Sequence, residues 1–155
     1  MGNLLIGSCS ARFDKSGRIK IPEKFRTVIE EHYGKEVFIT SLTDKAIQIY
    51  PIPVWEKLTG ITGEGLLHLK PELSMFLLHV NRRGTRYELD SKGRILISQS
   101  LRERAKLEDE IEILGLNNHL ELWNKEILDD FLNQNPLTDE NFELISNLYS
   151  RGKIG

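Results

Sequence analysis

The chain has 155 residues, of which 39% are hydrophobic and 28% charged, a composition typical of one folded domain or of two small domains that share a core. A single cysteine, Cys9, excludes an internal disulfide and a cysteine-rich zinc site, and no apolar stretch approaches the roughly 20 residues that a membrane-spanning helix needs. The motifs of serine hydrolases, phosphate-binding loops and zinc proteases are also missing from the sequence. We therefore expect a cytoplasmic protein that is not an enzyme, with no cofactor, no metal and no membrane.

The net charge of −2 conceals two basic blocks. Residues 1–26 contain six Lys or Arg and two Asp or Glu, and residues 79–106 contain eight and three. The rest of the chain is acidic. Because salt screens exposed charges beyond about 10 Å, a local basic patch can attract a polyanion even when the whole protein is acidic. The charge pattern alone leaves open a random scatter of charges over a solvated surface.

Each basic block contains one copy of the same phrase. Residues 14–22 read DKSGRIKIP and residues 90–98 read DSKGRILIS, with five of nine positions identical at an offset of 76. Phe25-Arg26 and Leu101-Arg102 continue the similarity at the same offset. The offset drifts slowly to 73 further along the chain, as expected of a duplicated unit with short insertions or deletions in its loops.

In each copy the phrase predicts a turn followed by a short strand. Gly17 and Gly93 can adopt the positive φ that such a turn requires, and Asp14 and Asp90 can accept hydrogen bonds from the turn amides. The strand should bury alternate residues on one face, namely Ile19 and Ile21 in the first copy and Ile95 and Ile97 in the second.

A short helix and then a hairpin follow the strand in each copy. The helices are indicated by apolar residues at helical spacing, clearly at Phe25, Val28, Ile29 and His32 and more weakly at Leu101, Ala105 and Leu107. Strands are predicted at residues 37–40 and 46–50 in the first copy, and at 111–114 and 120–123 in the second.

Helices are predicted both between the copies and after them. Pro53-Val54-Trp55 opens one connecting helix, residues 60–65 form a loop, and a second helix carries an apolar stripe of Leu73, Phe76, Leu77 and Val80. The tail begins with a helix near residues 125–132 and breaks at Asn135-Pro136. A last stripe, which we expect to pack on the body or else to form an interface, contains Phe142, Ile145, Leu148 and Tyr149.

A module of about 40 residues is too small to hold a core of its own. Two copies in one chain bury their strands most economically against each other. The duplication therefore predicts one joint β-barrel or sandwich built from both halves.

These residues resemble the MraZ family. The resemblance is carried by two Asp-x-x-Gly-Arg-Ile-x-Ile phrases, each followed by a short helix and a hairpin that ends in an aromatic residue. Phe25-Arg26 after Pro22 and the phrase Leu120-Glu121-Leu122-Trp123 strengthen it. It extends from residue 7 to about residue 128.

The resemblance implies an α+β fold that is mainly β, in which two AbrB-like, swapped-hairpin modules form a joint β-barrel with short peripheral helices. It places the first module at residues 1–52, a helical connector at 53–81, the second module at 82–124 and a helical tail at 125–155. The two modules are expected to share one core.

The resemblance also implies a function. MraZ proteins are bacterial transcriptional regulators, usually encoded at the head of the division and cell-wall gene cluster. They form closed rings, commonly octamers, and bind short direct repeats in the promoter of their own operon. A regulator of this kind would bind double-stranded DNA as a homo-oligomeric ring and would be associated with the nucleoid. Two alternatives remain open, an AbrB-type antitoxin and a structural ring with no role on DNA.

The resemblance to the MraZ family implies that Arg18 is the leading DNA contact and that Arg94 is its counterpart in the second copy. The planar guanidinium of arginine suits this role because it reaches guanine O6 and N7, or a phosphate, with two hydrogen bonds. The flanking candidates are Arg12, Lys15, Ser16, Lys20 and Lys92, and the turns would be shaped by Asp14, Gly17, Asp90 and Gly93. The plain alternative is a surface ion pair between Asp and Arg four residues apart, which contributes only ~0–1 kcal/mol.

Overall fold

The computed structural model describes residues 2–60 and 70–154 of the chain. Within them the chain forms eight strands and six helices. It divides into two compact units, one that ends at Lys125 and one that starts at Glu126. The loop predicted at residues 60–65 lies, from residue 61 onward, outside the described residues.

The first unit repeats one order of elements. The first copy contains β1 (Leu5–Ala11), β2 (Arg18–Lys20), α1 (Glu23–His32), β3 (Glu36–Thr40) and β4 (Ala46–Pro51). The connector contains α2 (Ile52–Thr59) and α3 (Pro71–Arg83). The second copy contains β5 (Thr85–Glu88), β6 (Arg94–Leu96), α4 (Gln99–Arg104), β7 (Ile111–Asn117) and β8 (Leu120–Asn124). Both predicted hairpins are confirmed, β3 with β4 and β7 with β8.

The two copies exchange strands in an antiparallel sheet with the order β1-β7-β8-β4-β3-β5. The first strand of each copy pairs with the hairpin of the other copy, β1 with β7 and β5 with β3. The two hairpins meet along β4 and β8, where Ile47 lies opposite Leu122 and Ile49 opposite Leu120. The sheet is therefore a joint product of both halves.

The turn-strand phrases of the two copies also meet each other. β2 and β6 form a separate two-stranded antiparallel ribbon in which Ile19 lies opposite Ile95. Beyond its ends, the amide of Ile21 donates to the carbonyl of Gly93 at 2.9 Å, and the amide of Ile97 donates to the carbonyl of Gly17 at 3.1 Å. The two phrases thus make equivalent, reciprocal hydrogen bonds to each other, as in an approximately twofold-symmetric pair.

One hydrophobic core lies under the sheet and the ribbon and draws on both copies. The predicted buried face of the phrase is confirmed, because Ile19, Ile21, Ile95 and Ile97 are at most 1% exposed. The core continues through the sheet and the short helices with Phe25, Ile29, Ile39, Ile47, Ile49, Leu101, Ile113, Leu120 and Leu122.

The mixed α and β composition agrees with the predicted fold class. Among the described residues the six-stranded sheet is open, with β1 and β5 at its edges, so the closed joint barrel is not confirmed. The second short helix is also shorter than its apolar stripe suggests. It ends at Arg104, because Lys106 takes a left-handed φ of +52° and the amide of Leu107 turns back to the carbonyl of Arg102 at 2.8 Å.

The second unit contains most of α5 (Lys125–Gln134), and also α6 (Asp139–Ile154). The start of α6 is capped by reciprocal hydrogen bonds between Thr138 and Asn141, at 2.9 and 3.2 Å. The four apolar residues of the predicted last stripe lie in α6, and each is exposed. None of the described helices is long and apolar enough to cross a membrane.

The shared core makes a first prediction about stability. We expect Ile95→Ala to lower the free energy of unfolding by about 2–5 kcal/mol, because the substitution leaves a cavity beneath the β2–β6 ribbon. Urea unfolding followed by circular dichroism measures the change. The matched control is Leu96→Ala, at the next position and 36% exposed, which should lose about 1 kcal/mol or less. Equal losses for the two variants would contradict a core beneath this ribbon.

Candidate nucleic-acid interface

One aspartate holds each of the two turns. Asp14 Oδ1 accepts hydrogen bonds from the amides of Ser16 at 2.9 Å and Arg18 at 3.0 Å. Asp90 Oδ1 accepts from the amides of Lys92 at 2.8 Å and Arg94 at 2.9 Å. A short polar side chain that bonds its own downstream amides is the local reason why each phrase turns at this point.

The glycine of each turn has a left-handed conformation and a crowded surface. Gly17 has φ +84° and Gly93 has φ +75°, a region that other residues rarely adopt. A Cβ on Gly17 would lie 3.0 Å from Nη2 of Arg102, and one on Gly93 would lie 2.7 Å from Cδ of Arg26. Both conformation and space therefore favour glycine at these positions.

The hydrogen bonds at the turns favour the charged form of both aspartates. The pKa of Asp14 lies below its ordinary value of 3.8, chiefly because the Ser16 side chain and the Arg18 amide donate to the carboxylate. The pKa of Asp90 is also lowered, chiefly by the amide of Arg94; burial opposes the shift, and the Arg94 side chain and the Lys92 amide lower the pKa further. Both aspartates are therefore ionised at neutral pH.

The β2–β6 ribbon carries basic side chains on its outward face. Burial of Ile19 and Ile95 leaves Arg18, Lys20 and Arg94 on the opposite side, and Lys20 lies directly across from Arg94. These three side chains come from both copies. The ribbon thus gathers into one surface the basic residues that the sequence divides between two blocks.

The two motif arginines differ in how their charge is balanced. Arg94 Nε donates to Asp90 Oδ2 at 2.9 Å, and Arg94 Nη1 lies 3.9 Å from Asp14 Oδ2. Arg18 Nη1 instead donates to the hydroxyl of Ser16 at 3.0 Å, and among the described residues Arg18 has no ion pair with a carboxylate. Arg94 is neutralised within the protein, whereas Arg18 is not.

A second pair of arginines crosses between the copies. Arg26 of α1 lies against Gly93 and donates from Nη2 to the carbonyl of Ser91 at 3.0 Å. Arg102 of α4 lies against Gly17 in the corresponding way. In the sequence these two arginines are recognisable only as repeat positions. The repeat offset was the signal available, but their place beside the opposite turn follows from the strand exchange.

The flanking candidates are accessible. Arg12, Lys15, Lys20 and Lys92 are exposed, and within the described parts of the chain none of them forms an ion pair or a side-chain hydrogen bond. Ser16 is also exposed, but its hydroxyl donates to Asp14 Oδ1 at 2.7 Å while it accepts from Arg18. Ser16 therefore positions Arg18 in the unbound protein.

The basic residues that precede β6 behave differently. Arg86 forms a bidentate ion pair with Glu36, in which Nε donates to Oε2 at 2.5 Å and Nη2 donates to Oε1 at 3.0 Å. Arg83 donates to the carbonyl of Ser41 at 2.9 Å. Arg83 and Arg86 bind other parts of the protein, so we leave these two arginines out of the candidate interface, which consists of the two turns, the ribbon and Arg12. Among the described residues, no three His, Cys, Asp or Glu side chains are grouped to hold a metal.

Comparisons with known proteins agree with the sequence resemblance. A family model described as "MraZ protein, putative antitoxin-like" matches residues 82–146. A protein named transcriptional regulator MraZ from Acidobacterium capsulatum is 34% identical over 140 residues, covering 90% of this chain and 95% of that protein. Proteins of the same name from Syntrophobacter fumaroxidans and Koribacter versatilis are 34% and 31% identical, covering 79% and 92% of this chain and 81% and 97% of their own length.

The lowered pKa of Asp14 predicts how the first turn responds to acid. We expect the amide chemical shifts of Ser16 and Arg18, which report the ionisation of the Asp14 carboxylate, to change with a midpoint below pH 3.8 in an NMR pH series. Because folding depresses this pKa, the carboxylate stabilises the fold above pH 3.8, and that contribution is lost as the pH falls through the folded value. In Asp14→Asn the transition should vanish, while the Asp90 transition seen at Lys92 persists. A midpoint at or above 3.8 would contradict the assignment.

Proposed function

The chain belongs to the MraZ family, and from this premise we propose that it is a sequence-specific, DNA-binding transcriptional regulator. Its target would be short direct repeats in the promoter of the division and cell-wall operon. The observation that carries the proposal is the outward face of the β2–β6 ribbon, where Arg18 projects without a carboxylate partner among the described residues. The Arg18 guanidinium can bind in a DNA groove without first breaking an ion pair within the described part of the protein.

Arg18 would read sequence, and its neighbours would fix the register. A guanidinium that reaches guanine O6 and N7 discriminates between bases, whereas lysines bind phosphates of any sequence. Lys15 precedes Arg18 in the first turn, Lys20 follows it on the ribbon, and Arg12 lies just before the turn, all of them exposed. Lys92 is the corresponding exposed lysine of the second turn and a further candidate for phosphate contact.

A single chain would bind DNA weakly. Contact with a few phosphates gives dissociation constants near 10⁻⁴–10⁻⁶ M, and linked sites on repeated DNA boxes raise the overall affinity by ~10²–10⁴. We therefore propose a closed homo-oligomeric ring, with an octamer favoured. Exposed apolar side chains support subunit contacts. Ile6 and Leu116 lie opposite each other on β1 and β7 and are 64% and 42% exposed. In the cell, such a ring would be cytoplasmic and associated with the nucleoid.

Two observations support the antitoxin alternative. The matching family model carries the words antitoxin-like in its description, and the exposed apolar side chains of α6 could contact a toxin. An antitoxin of the AbrB type usually carries one module per chain and dimerises, whereas both copies here lie in one chain. We therefore favour the regulator.

Arg18→Ala tests the proposal. Each lost arginine contact to a base is worth about 1–3 kcal/mol, or about 5- to 150-fold, and the losses combine over the subunits engaged. We expect the affinity for the duplex DNA immediately upstream of the gene, measured by a mobility-shift assay, to fall at least about 100-fold. Size-exclusion chromatography should show an unchanged oligomer.

Lys57→Ala serves as the matched control, since this exposed lysine lies on α2, a helix that packs against β3 and β4 of the large sheet. It should bind DNA as the wild type does. The affinity of a regulator for DNA should also fall steeply as the salt concentration rises. A ring whose basic turns line subunit contacts should not bind DNA at any salt concentration. Unchanged binding by Arg18→Ala would remove Arg18 from the role.

A further inference from the structure

Each turn of the candidate interface carries two arginines, one from each copy of the repeat. Arg18 belongs to the first turn, and Arg102 of the second copy lies against its glycine. Arg94 belongs to the second turn, and Arg26 of the first copy lies against that glycine. The two composite turns are equivalent in design, so any difference between them reflects the side chains around each pair.

At the second turn, both arginines are neutralised inside the protein. Arg94 is bound to Asp90 at 2.9 Å and lies 3.9 Å from Asp14. Arg26 Nε is bound to Glu30 Oε1 at 3.1 Å, and its Nη2 holds the backbone carbonyl of Ser91. A DNA phosphate would have to compete with these carboxylates, and its repulsion from them would offset the gain.

At the first turn, neither arginine has a carboxylate partner among the residues that the structure describes. Arg18 Nη1 is held by the hydroxyl of Ser16. Arg102 Nε donates to the carbonyl of Ile97 at 3.1 Å, and its guanidinium lies over the ring of Phe13 at 5.7 Å from the centroid. These neutral contacts fix the half-buried side chain of Arg102 and leave its positive charge beside Gly17, with Nη2 as the atom nearest to the position of a Cβ there.

The difference has a local cause in the sequence. The first turn reads Lys15-Ser16 where the second reads Ser91-Lys92. The Ser16 hydroxyl is placed between Asp14 and Arg18, so the arginine contacts a hydroxyl rather than the carboxylate. In the second turn, lysine occupies that position, and Arg94 bonds Asp90 directly.

We propose that Arg102 is a further DNA-contacting residue, and that the first turn is a composite DNA site formed by Arg18 of one copy and Arg102 of the other. Arg94 and Arg26 then act as structural residues that hold the second turn. This inference rests on the proposed function. It implies that the arginine pair of only one turn in each chain contacts DNA, so that one subunit serves one repeated box.

The internal repeat supplies matched controls for a test. Binding of the upstream duplex is measured at several salt concentrations for the wild type and for Arg102→Gln, Arg26→Gln, Arg18→Ala and Arg94→Ala. Each phosphate contact contributes about 0.9 to the slope of log K against log salt. We expect Arg102→Gln to reduce the slope by about 0.9 for each subunit engaged and to weaken binding about tenfold or more. Arg26→Gln should leave the slope unchanged.

Folding is checked separately, because Arg102 also contacts the Ile97 carbonyl. Thermal unfolding and size-exclusion chromatography are run on every variant, and Arg102→Lys, which keeps the charge, should retain the wild-type slope. A wild-type slope for Arg102→Gln, or an equal reduction for Arg26→Gln, would overturn the composite site while leaving the regulator proposal intact. Full binding by Arg18→Ala would overturn the composite site likewise, because Arg18 is one of its two arginines, whereas absence of DNA binding by the wild type would remove the proposed function.

Discussion

The exchange of strands between the two repeated copies is the constraint on which the first unit depends. β1 completes the hairpin of the second copy, β5 completes that of the first, and β2 pairs with β6 between them. Neither copy therefore has a complete sheet or a closed core when it is separated from the other. The same exchange brings two basic phrases 76 residues apart into one ribbon, so the packing of the core and the surface charge have one origin.

The two turns show how one geometry can carry different electrostatics. Their backbones match closely, with an aspartate that accepts two downstream amides and a glycine at positive φ. The order of one lysine and one serine then decides whether the arginine pairs with a hydroxyl or with a carboxylate. A surface ion pair adds little stability, but it determines whether the charge is available to a ligand.

Local pattern predicted the pieces of this structure, but not how they are connected. The hairpins, the buried face of Ile19 and Ile95 and the first short helix follow from side-chain periodicity, because each is decided within a few residues. Which strand pairs with which depends on packing between distant segments, so side-chain periodicity alone does not predict the strand order β1-β7-β8-β4-β3-β5. Arg102 was overlooked as a candidate for the same reason, because its position beside Gly17 requires the exchange. The early end of α4 was also missed, since no glycine marks it.

The covalent connection between the two interlocked copies has an evolutionary consequence. In a symmetric dimer of identical chains, every mutation appears twice, and a change that benefits one turn is imposed on the other. In this chain α2 and α3 join the copies, so each turn can mutate independently while the pairing that they share preserves the fold. Duplication thereby allows one loop to specialise in holding the scaffold and its twin to be selected for recognition.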